Sequence, residues 1–438
     1  MISLALRDRS PWGLAVLALA LGPAVVVALP AVGQEEAPPL PEDKIVVDID
    51  APEEEVFRIG IPDLIGEPAQ YTAAGGQILQ NDFRLMPGFR VIGPESVRHD
   101  AAALGLGVDL GAWAALGANG VIKGLIGGND AGLMVELRFY QSSGAGVPAL
   151  RRTYRGSPTE LRRWMHDFAN AVIGVVTGTY GPFGTEIVFA RKHGPGRKSV
   201  YVAGMDGYGV RQVSSGQGVS MLPSFGKGSI WYTRMTKQGT FITNTKVGGK
   251  RIIGGKGITM APVVCGERLF FVSSRSGDPE IYSSKPDGTD LRRLTRNRAI
   301  DVSPTCGPGG KLAFVSDRHG SPQIFTMNEN GTNVQRLTFR GSHNQTPVWC
   351  KDPKQPIVAF TGRDGNFDIF TVNVETQEYK RLTQGQGDNK DPAFSPDCRL
   401  IAFASNRRGS PGVYLSGQDG QDQNQVISGE AETVRWSR

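Results

Sequence analysis

The residue types that most often do chemistry are all present in this chain, but they are dispersed. Five histidines (His99, His166, His193, His319 and His343) stand far apart, and no HExxH spacing sets two of them on one helix face beside a glutamate. No Gly-x-Ser-x-Gly stretch offers a nucleophile on a strand-to-helix turn, and no length is left for a hydrolase domain to carry one. Gly105-Leu106-Gly107 lacks the strand-to-helix context of a dinucleotide fingerprint, and there is no phosphate-cradling P-loop. Asp206-Gly207, Asp287-Gly288 and Asp419-Gly420 begin like calcium loops, yet lack the spaced carboxylates and closing glutamate of one. They read as hairpin turns that need positive φ. Arg275, Arg318 and Arg407 stand close behind serines in inter-strand turns and read as turn charges. No catalytic, cofactor or metal set emerges from these residues.

Four cysteines, Cys265, Cys306, Cys350 and Cys398, recur near the same turn of successive repeats, with no CxxC pair of the zinc-ribbon kind. In an oxidising compartment they could join neighbouring repeats as Cys265–Cys306 and Cys350–Cys398. Buried free thiols fit the same placement.

The repeats supply the frame. Residues 312–338 read as three short strands divided by an Asp-Arg-His-Gly turn and an Asn330-Gly331 turn, with a fourth around Val302 upstream. Four antiparallel strands in about 40 residues make one propeller blade. Copies follow Leu269, Val358 and Leu400, and weaker ones Ile187 and Ile230. Their matching aromatics are Phe189, Tyr232, Phe271, Phe314, Phe360 and Phe403, spaced 39 to 46 residues apart. Five copies are preceded by a short X-Pro strand; the first is not, but Thr433-Val434-Arg435-Trp436 at the C-terminus resembles the missing one. A ring closed by that strand leaves no open sheet edge.

Composition agrees with an all-β, turn-rich bulk: 58 glycines and 28 prolines in 438 residues. The net charge of +6 is modest, and no basic run interleaved with aromatics points to nucleic acid. Residues 1–33 read as a secretory signal: Arg7 and Arg9, an apolar run, then Ala31-Val32-Gly33. Residues 34–43 are acidic and proline-rich, the composition of a mobile tail. Residues 44–179 mix strand-like runs near Val46, Ile59, Val121 and Val135 with helical periodicity over 73–86 and 158–177 and a short helix around Trp113. That predicts an α/β or α+β domain. The expected architecture is a six-bladed β-propeller, residues 180–438, behind this smaller N-terminal domain.

With these parts in view the chain resembles the TolB family, the periplasmic propellers of the Tol–Pal envelope-integrity system. The blade pattern stands best as Asp391-Pro392-Ala393-Phe394-Ser395-Pro396-Asp397 with Leu400-Ile401-Ala402-Phe403. More specific are Ile59-Gly60-Ile61-Pro62, Asn81-Asp82-Phe83-Arg84, Trp113-Ala114-Ala115-Leu116, Tyr154-Arg155-Gly156 and Leu161-Arg162-Arg163-Trp164, which follow the family's order. Residues 34–43 depart from the family's usual leading segment, and the second repeat lacks the Ser-Pro-Asp turn.

The resemblance implies a monomeric, non-enzymatic adaptor, held at the outer membrane by the peptidoglycan-associated lipoprotein (Pal). That partner docks on the propeller, while the N-terminal region signals to TolA. A glycan-binding propeller or the accessory propeller of a hydrolase are the alternatives. Docking is expected where the inner strands converge on the mouth of the ring: Ser220, Leu222, Met260, Ala261, Asp301, Ser303, Gln345, Thr346, Lys390, Asp391, Glu432 and Thr433. Asp391→Lys with Thr346→Arg is the substitution this reading favours as its test.

Overall fold

A computed structural model of the chain describes residues 56–96, 105–214 and 218–437. The signal (1–33), the tail (34–43), the strand expected near Val46 and His99 lie outside the described residues.

The N-terminal domain is a mixed sheet in the order Phe89–Ile92, Phe57–Gly60, Gly120–Asn129, Gly132–Gln141, Leu150–Gly156, with Ile65–Gly66 beside Gly120–Asn129. The first two strands run parallel; the last three form an antiparallel meander. Helices α1 (Ala69–Leu85) and α3 (Leu161–Thr177) pack together, their Leu79, Phe83, Met165, Phe168 and Val172 fully buried with Ile59, Ile122, Val135 and Leu137 of the sheet. Between them α2 (Leu110–Ala115) starts at Asp109, whose carboxylate accepts the Ala112 amide at 3.0 Å. Ser157 and Pro158 open the turn leading into α3, and Gly178 closes that helix at φ 77°, donating its amide to Gly174 at 2.9 Å.

The rest is a β-propeller of small sheets. Four of them have four antiparallel strands in chain order, beginning with Thr259–Cys265, Asp301–Cys306, Asn344–Trp349 and Asn389–Phe394. Residues 186–254 and the C-terminal strand Ala431–Trp436 form one larger sheet. In it the C-terminal strand pairs with Glu186–Gly194, as the closure argument requires. A single parallel bridge, Val219 to Lys198, joins the strands of the first two repeats.

Each element of the repeat has a physical task. Phe189, Tyr232, Phe271, Phe314, Phe360 and Phe403 are buried, and Phe189, Phe271, Phe314, Phe360 and Phe403 lie against an aromatic of the next strand, with centroids 5.7–6.1 Å apart. The Arg-x-Thr endings are polar staples. Thr295, Thr338 and Thr383 each accept an amide from the strand before through Oγ1, at 2.9–3.0 Å. Arg293, Arg336 and Arg381 each donate Nε to the carbonyl of the same threonine.

Arg275, Arg318 and Arg407 donate Nε to Ser273, Ser316 and Ser405, and their guanidinium groups sit over the aromatic pairs. They are structural turn charges. Gly207, Gly288 and Gly420 have φ of 82–88°; a Cβ at Gly207 would fall 2.0 Å from the Val426 carbonyl oxygen. The cysteines pair as Cys265–Cys306 and Cys350–Cys398, each with Cα atoms 5.7 Å apart, and no cysteine is free. Among the described residues no helix is long and apolar enough to cross a membrane.

Candidate functional site

The strands Val219–Gly226, Thr259–Cys265, Asp301–Cys306, Asn344–Trp349, Asn389–Phe394 and Ala431–Trp436 pack each against the next, and the last against the first. They are the inner strands of the ring. Every one is broken by a bulge at the same place: its pairing slips between Met221 and Ser224, Met260 and Val263, Val302 and Thr305, Gln345 and Val348, Lys390 and Ala393, and Glu432 and Arg435. At each bulge one residue is left-handed: Leu222, Ala261, Ser303, Thr346, Asp391 and Thr433, with φ of 48–58°. None is glycine, so each position costs about 1–3 kcal/mol of backbone strain that the surrounding fold must hold. Five precede a proline, which ordinarily favours extended backbone.

The strain is held by hydrogen bonds between neighbouring repeats. Thr233 Oγ1 accepts the Ala261 amide at 2.9 Å, Thr361 Oγ1 the Asp391 amide at 3.0 Å, and Asp391 Oδ2 the Thr433 amide at 2.8 Å. Thr346 and Thr361 share a hydrogen bond of 2.7 Å between hydroxyls. Bulges of this kind interrupt pairing and re-aim side chains.

The twelve residues expected at the mouth divide into two groups. Leu222, Met260, Ala261, Ser303, Lys390, Asp391, Glu432 and Thr433 are partly exposed. Ser220, Asp301, Gln345 and Thr346 are buried. Asp301 is wholly buried, gripped by Arg318 Nη2 at 3.0 and 3.1 Å and by Asn297 Nδ2 at 2.7 Å. Lys390 pairs with Asp388 at 2.9 Å and lies 4.4 Å from the Phe367 ring centre; Lys198 pairs with Glu432. The structure also revises the choice of test. Asp391 and Thr346 carry the hydrogen bonds that hold the strained ring, so changing them perturbs the scaffold as well as the surface.

The inner strands all start at the mouth, and among the described residues the N-terminal domain touches the propeller where they finish. There Arg399 donates to Thr177 Oγ1 at 3.0 Å and to the Thr179 carbonyl at 2.5 Å, and Arg90 pairs with Asp422 at 2.9 Å. One continuous apolar cluster runs from α1 and α3 to Met205, Leu400, Leu415 and Trp436 of the propeller. Asn170 clasps Phe183 twice, amide to carbonyl and carbonyl to amide, both at 2.9 Å.

A buried polar relay crosses the same junction. His166 Nδ1 lies 2.8 Å from Asp82 Oδ2 on α1, and its Nε2 lies 3.7 Å from Asp206 Oδ2 in the first propeller turn, where Asp206 also pairs with Arg162. Asp82 is fully buried and its Oδ1 has no partner. Burial pushes its carboxyl up to about 6, against a smaller opposing pull from His166. The three side chains are near enough to share a cation, though each ring nitrogen already faces its own carboxylate. Positions 82, 166 and 206 share no motif spacing; the only signal in the sequence is a histidine and an aspartate on two helices that the fold must pack together.

Comparisons with known proteins bear on both parts. The TolB beta propeller domain matches residues 174–363, and the TolB amino-terminal domain matches residues 45–143. A protein TolB homolog from Chlorobium luteolum is 30% identical over 211 residues, covering 46% of this chain and 47% of its own. The Tol-Pal system protein TolB of Desulfosudis oleivorans is 34% identical over 196 residues, covering 43% and 44%. The chain thus spans less than half the length of each of these two relatives. The crystal structure of TolB from Acinetobacter baumannii matches with a TM-score of 0.76 at 22% identity, over 87% of this chain and 97% of that one, and carries the fold alone.

Proposed function

Because the chain belongs to the TolB family of non-enzymatic Tol–Pal components, we propose that it is a periplasmic adaptor that docks the peptidoglycan-associated lipoprotein at the open mouth of its ring. The larger sheet is read as two blades fused by the Val219–Lys198 bridge, giving six blades over residues 180–438 behind a domain over 44–179. The protein acts as a monomer, is held at the outer membrane through the lipoprotein, and signals to TolA through its N-terminal region.

The observation that carries the docking site is the ring of strained, left-handed positions in the inner strands, facing the end the N-terminal domain leaves open. Fold-level strain collected at one rim marks a place where geometry is kept for something other than stability. The rim mixes partly exposed Leu222, Met260 and Ala261 with Lys390, Asp391 and Glu432, a surface that suits a protein loop. The continuous core across the junction gives occupancy of the mouth a mechanical route to the N-terminal domain.

Ser303→Arg tests the site, because Ser303 is half-buried on the ring yet outside the hydrogen bonds that tie Thr346 and Asp391. Binding of the lipoprotein's soluble domain should be lost while the melting temperature stays within the range of a surface change. Unchanged affinity would remove the mouth as the docking site.

A further inference from the structure

The second repeat carries a charge anomaly that the adaptor reading leaves unused. Between Asp206 and Glu267 the chain has no acidic residue, yet Arg211, Lys227, Arg234, Lys237, Lys246, Lys250, Arg251 and Lys256 all fall there. That stretch is eight positive in a chain of net +6, so the rest sums to −2. Elsewhere in the propeller several basic residues of strands and turns have carboxylate partners, as in Arg268–Asp290, Arg293–Glu280 and Arg381–Asp368. Here Lys227 reaches Glu267 on the next repeat and Arg211 pairs with Glu186 on the first, while the second repeat contains no carboxylate of its own.

Folding concentrates these charges. The hairpin of Ser229–Thr236 and Gly239–Asn244 puts Lys237 at its tip, and Arg234 pairs across the strands with Phe241, which in turn pairs with Gly254. Arg234 also pairs with Ser220 of the inner strand, so this row runs outward from the mouth. A concavity of about 580 Å³ opens on the hairpin, lined by Arg234, Lys237, Lys250 and Arg251 with Gln238 and Phe241 and by no carboxylate. Lys237, Lys250 and Arg251 are exposed, and the Arg251 guanidinium lies 5.3 Å from the centre of the Phe241 ring, which orients it. Like charges gathered on one small surface repel one another, and a ligand with several negative oxygens relieves them all together. Arginine supplies a planar fork and lysine a movable point charge, the pairing used to hold a phosphoryl group.

The structure assigns this concavity as a phosphoryl-binding site on the rim beside the mouth, independent of whether the mouth itself takes the lipoprotein. The ligand is either a soluble phosphorylated compound or the phosphate of a lipid headgroup; both present the same chemistry.

The test uses the intact protein, the variant Lys237→Gln/Lys250→Gln/Arg251→Gln, and a charge-matched control, Lys285→Gln/Lys311→Gln/Lys380→Gln, whose lysines are exposed on other repeats. Inorganic pyrophosphate is titrated by calorimetry, and flotation is measured with phosphatidylglycerol vesicles against phosphatidylcholine vesicles. All proteins should melt alike. The wild type and the control should bind equally, and the concavity variant should bind about a hundredfold more weakly, at roughly fivefold per cation removed near an anionic surface. Binding to pyrophosphate assigns the soluble source; binding to phosphatidylglycerol vesicles alone assigns the headgroup. No binding to either probe, or equal loss in the control, overturns the site.

Discussion

Replacing Asp82 by asparagine should make the protein more stable at neutral pH, although Asp82 faces a histidine. The carboxyl is buried without a partner for Oδ1, and burial lifts it from 3.8 to about 6. Between those two pH values the folded protein holds a proton on Asp82 that the unfolded chain has released. Wild-type stability therefore falls as pH rises from about 4 to about 6 and is lowest, for this group, above that window. The full difference is about 3 kcal/mol. Asparagine keeps an oxygen toward His166 Nδ1 but leaves its own NH2 unpartnered, which takes back part of that, so a net gain of about 1–2 kcal/mol is expected near neutrality. Urea unfolding of both proteins at acidic and neutral pH reads the effect directly. Below the window Asp82→Asn should be the less stable protein by about 1–2 kcal/mol, and the order should reverse above it. An Asp82→Asn protein that keeps the wild-type pH slope, or is less stable at neutral pH, refutes the reasoning.

Two further outcomes follow from the propeller. Arg318→Met leaves Asp301 buried without its cation and should cost about 3 kcal/mol, most of it restored by adding Asp301→Asn; urea midpoints of the two variants measure this. Reducing the disulfides opens loops of 41 and 48 residues, worth about 4 kcal/mol each by loop closure, so unfolding midpoints with and without reductant should differ by more than either single cysteine pair accounts for.

The repeat was legible because its signals are local: alternation, turns rich in glycine and asparagine, and an aromatic at each matching position. The closing role of the C-terminal strand was legible for the same reason, since it copies a strand that one repeat lacks. Strand Leu150–Gly156 was hidden by its arginines: Arg151 and Arg155 are exposed, while Arg152 shares the half-buried face of Leu150 and Tyr154, where it pairs with Asp167 of α3. The left-handed backbone of the ring was not legible, because five of its six residues stand before a proline, which ordinarily favours extended backbone, and Leu222, Ala261, Ser303, Thr346, Asp391 and Thr433 share no side-chain property. Their backbone is set by the bulges of the closed ring and held by threonines from neighbouring repeats. The mouth list was drawn from strand position alone, so it included Asp301 and Gln345, which burial in the ring turns from surface into support. The relay of Asp82, His166 and Asp206 depends on docking two helices against a propeller turn, a tertiary fact with no spacing to announce it.

The central claim is that the open mouth docks the peptidoglycan-associated lipoprotein. Calorimetric titration of residues 34–438 with the soluble domain of that lipoprotein from the same genome tests it most directly. The account predicts saturable one-to-one binding that Ser303→Arg abolishes without lowering thermal stability. The absence of binding at tens of micromolar, or binding that Ser303→Arg leaves intact, would contradict it.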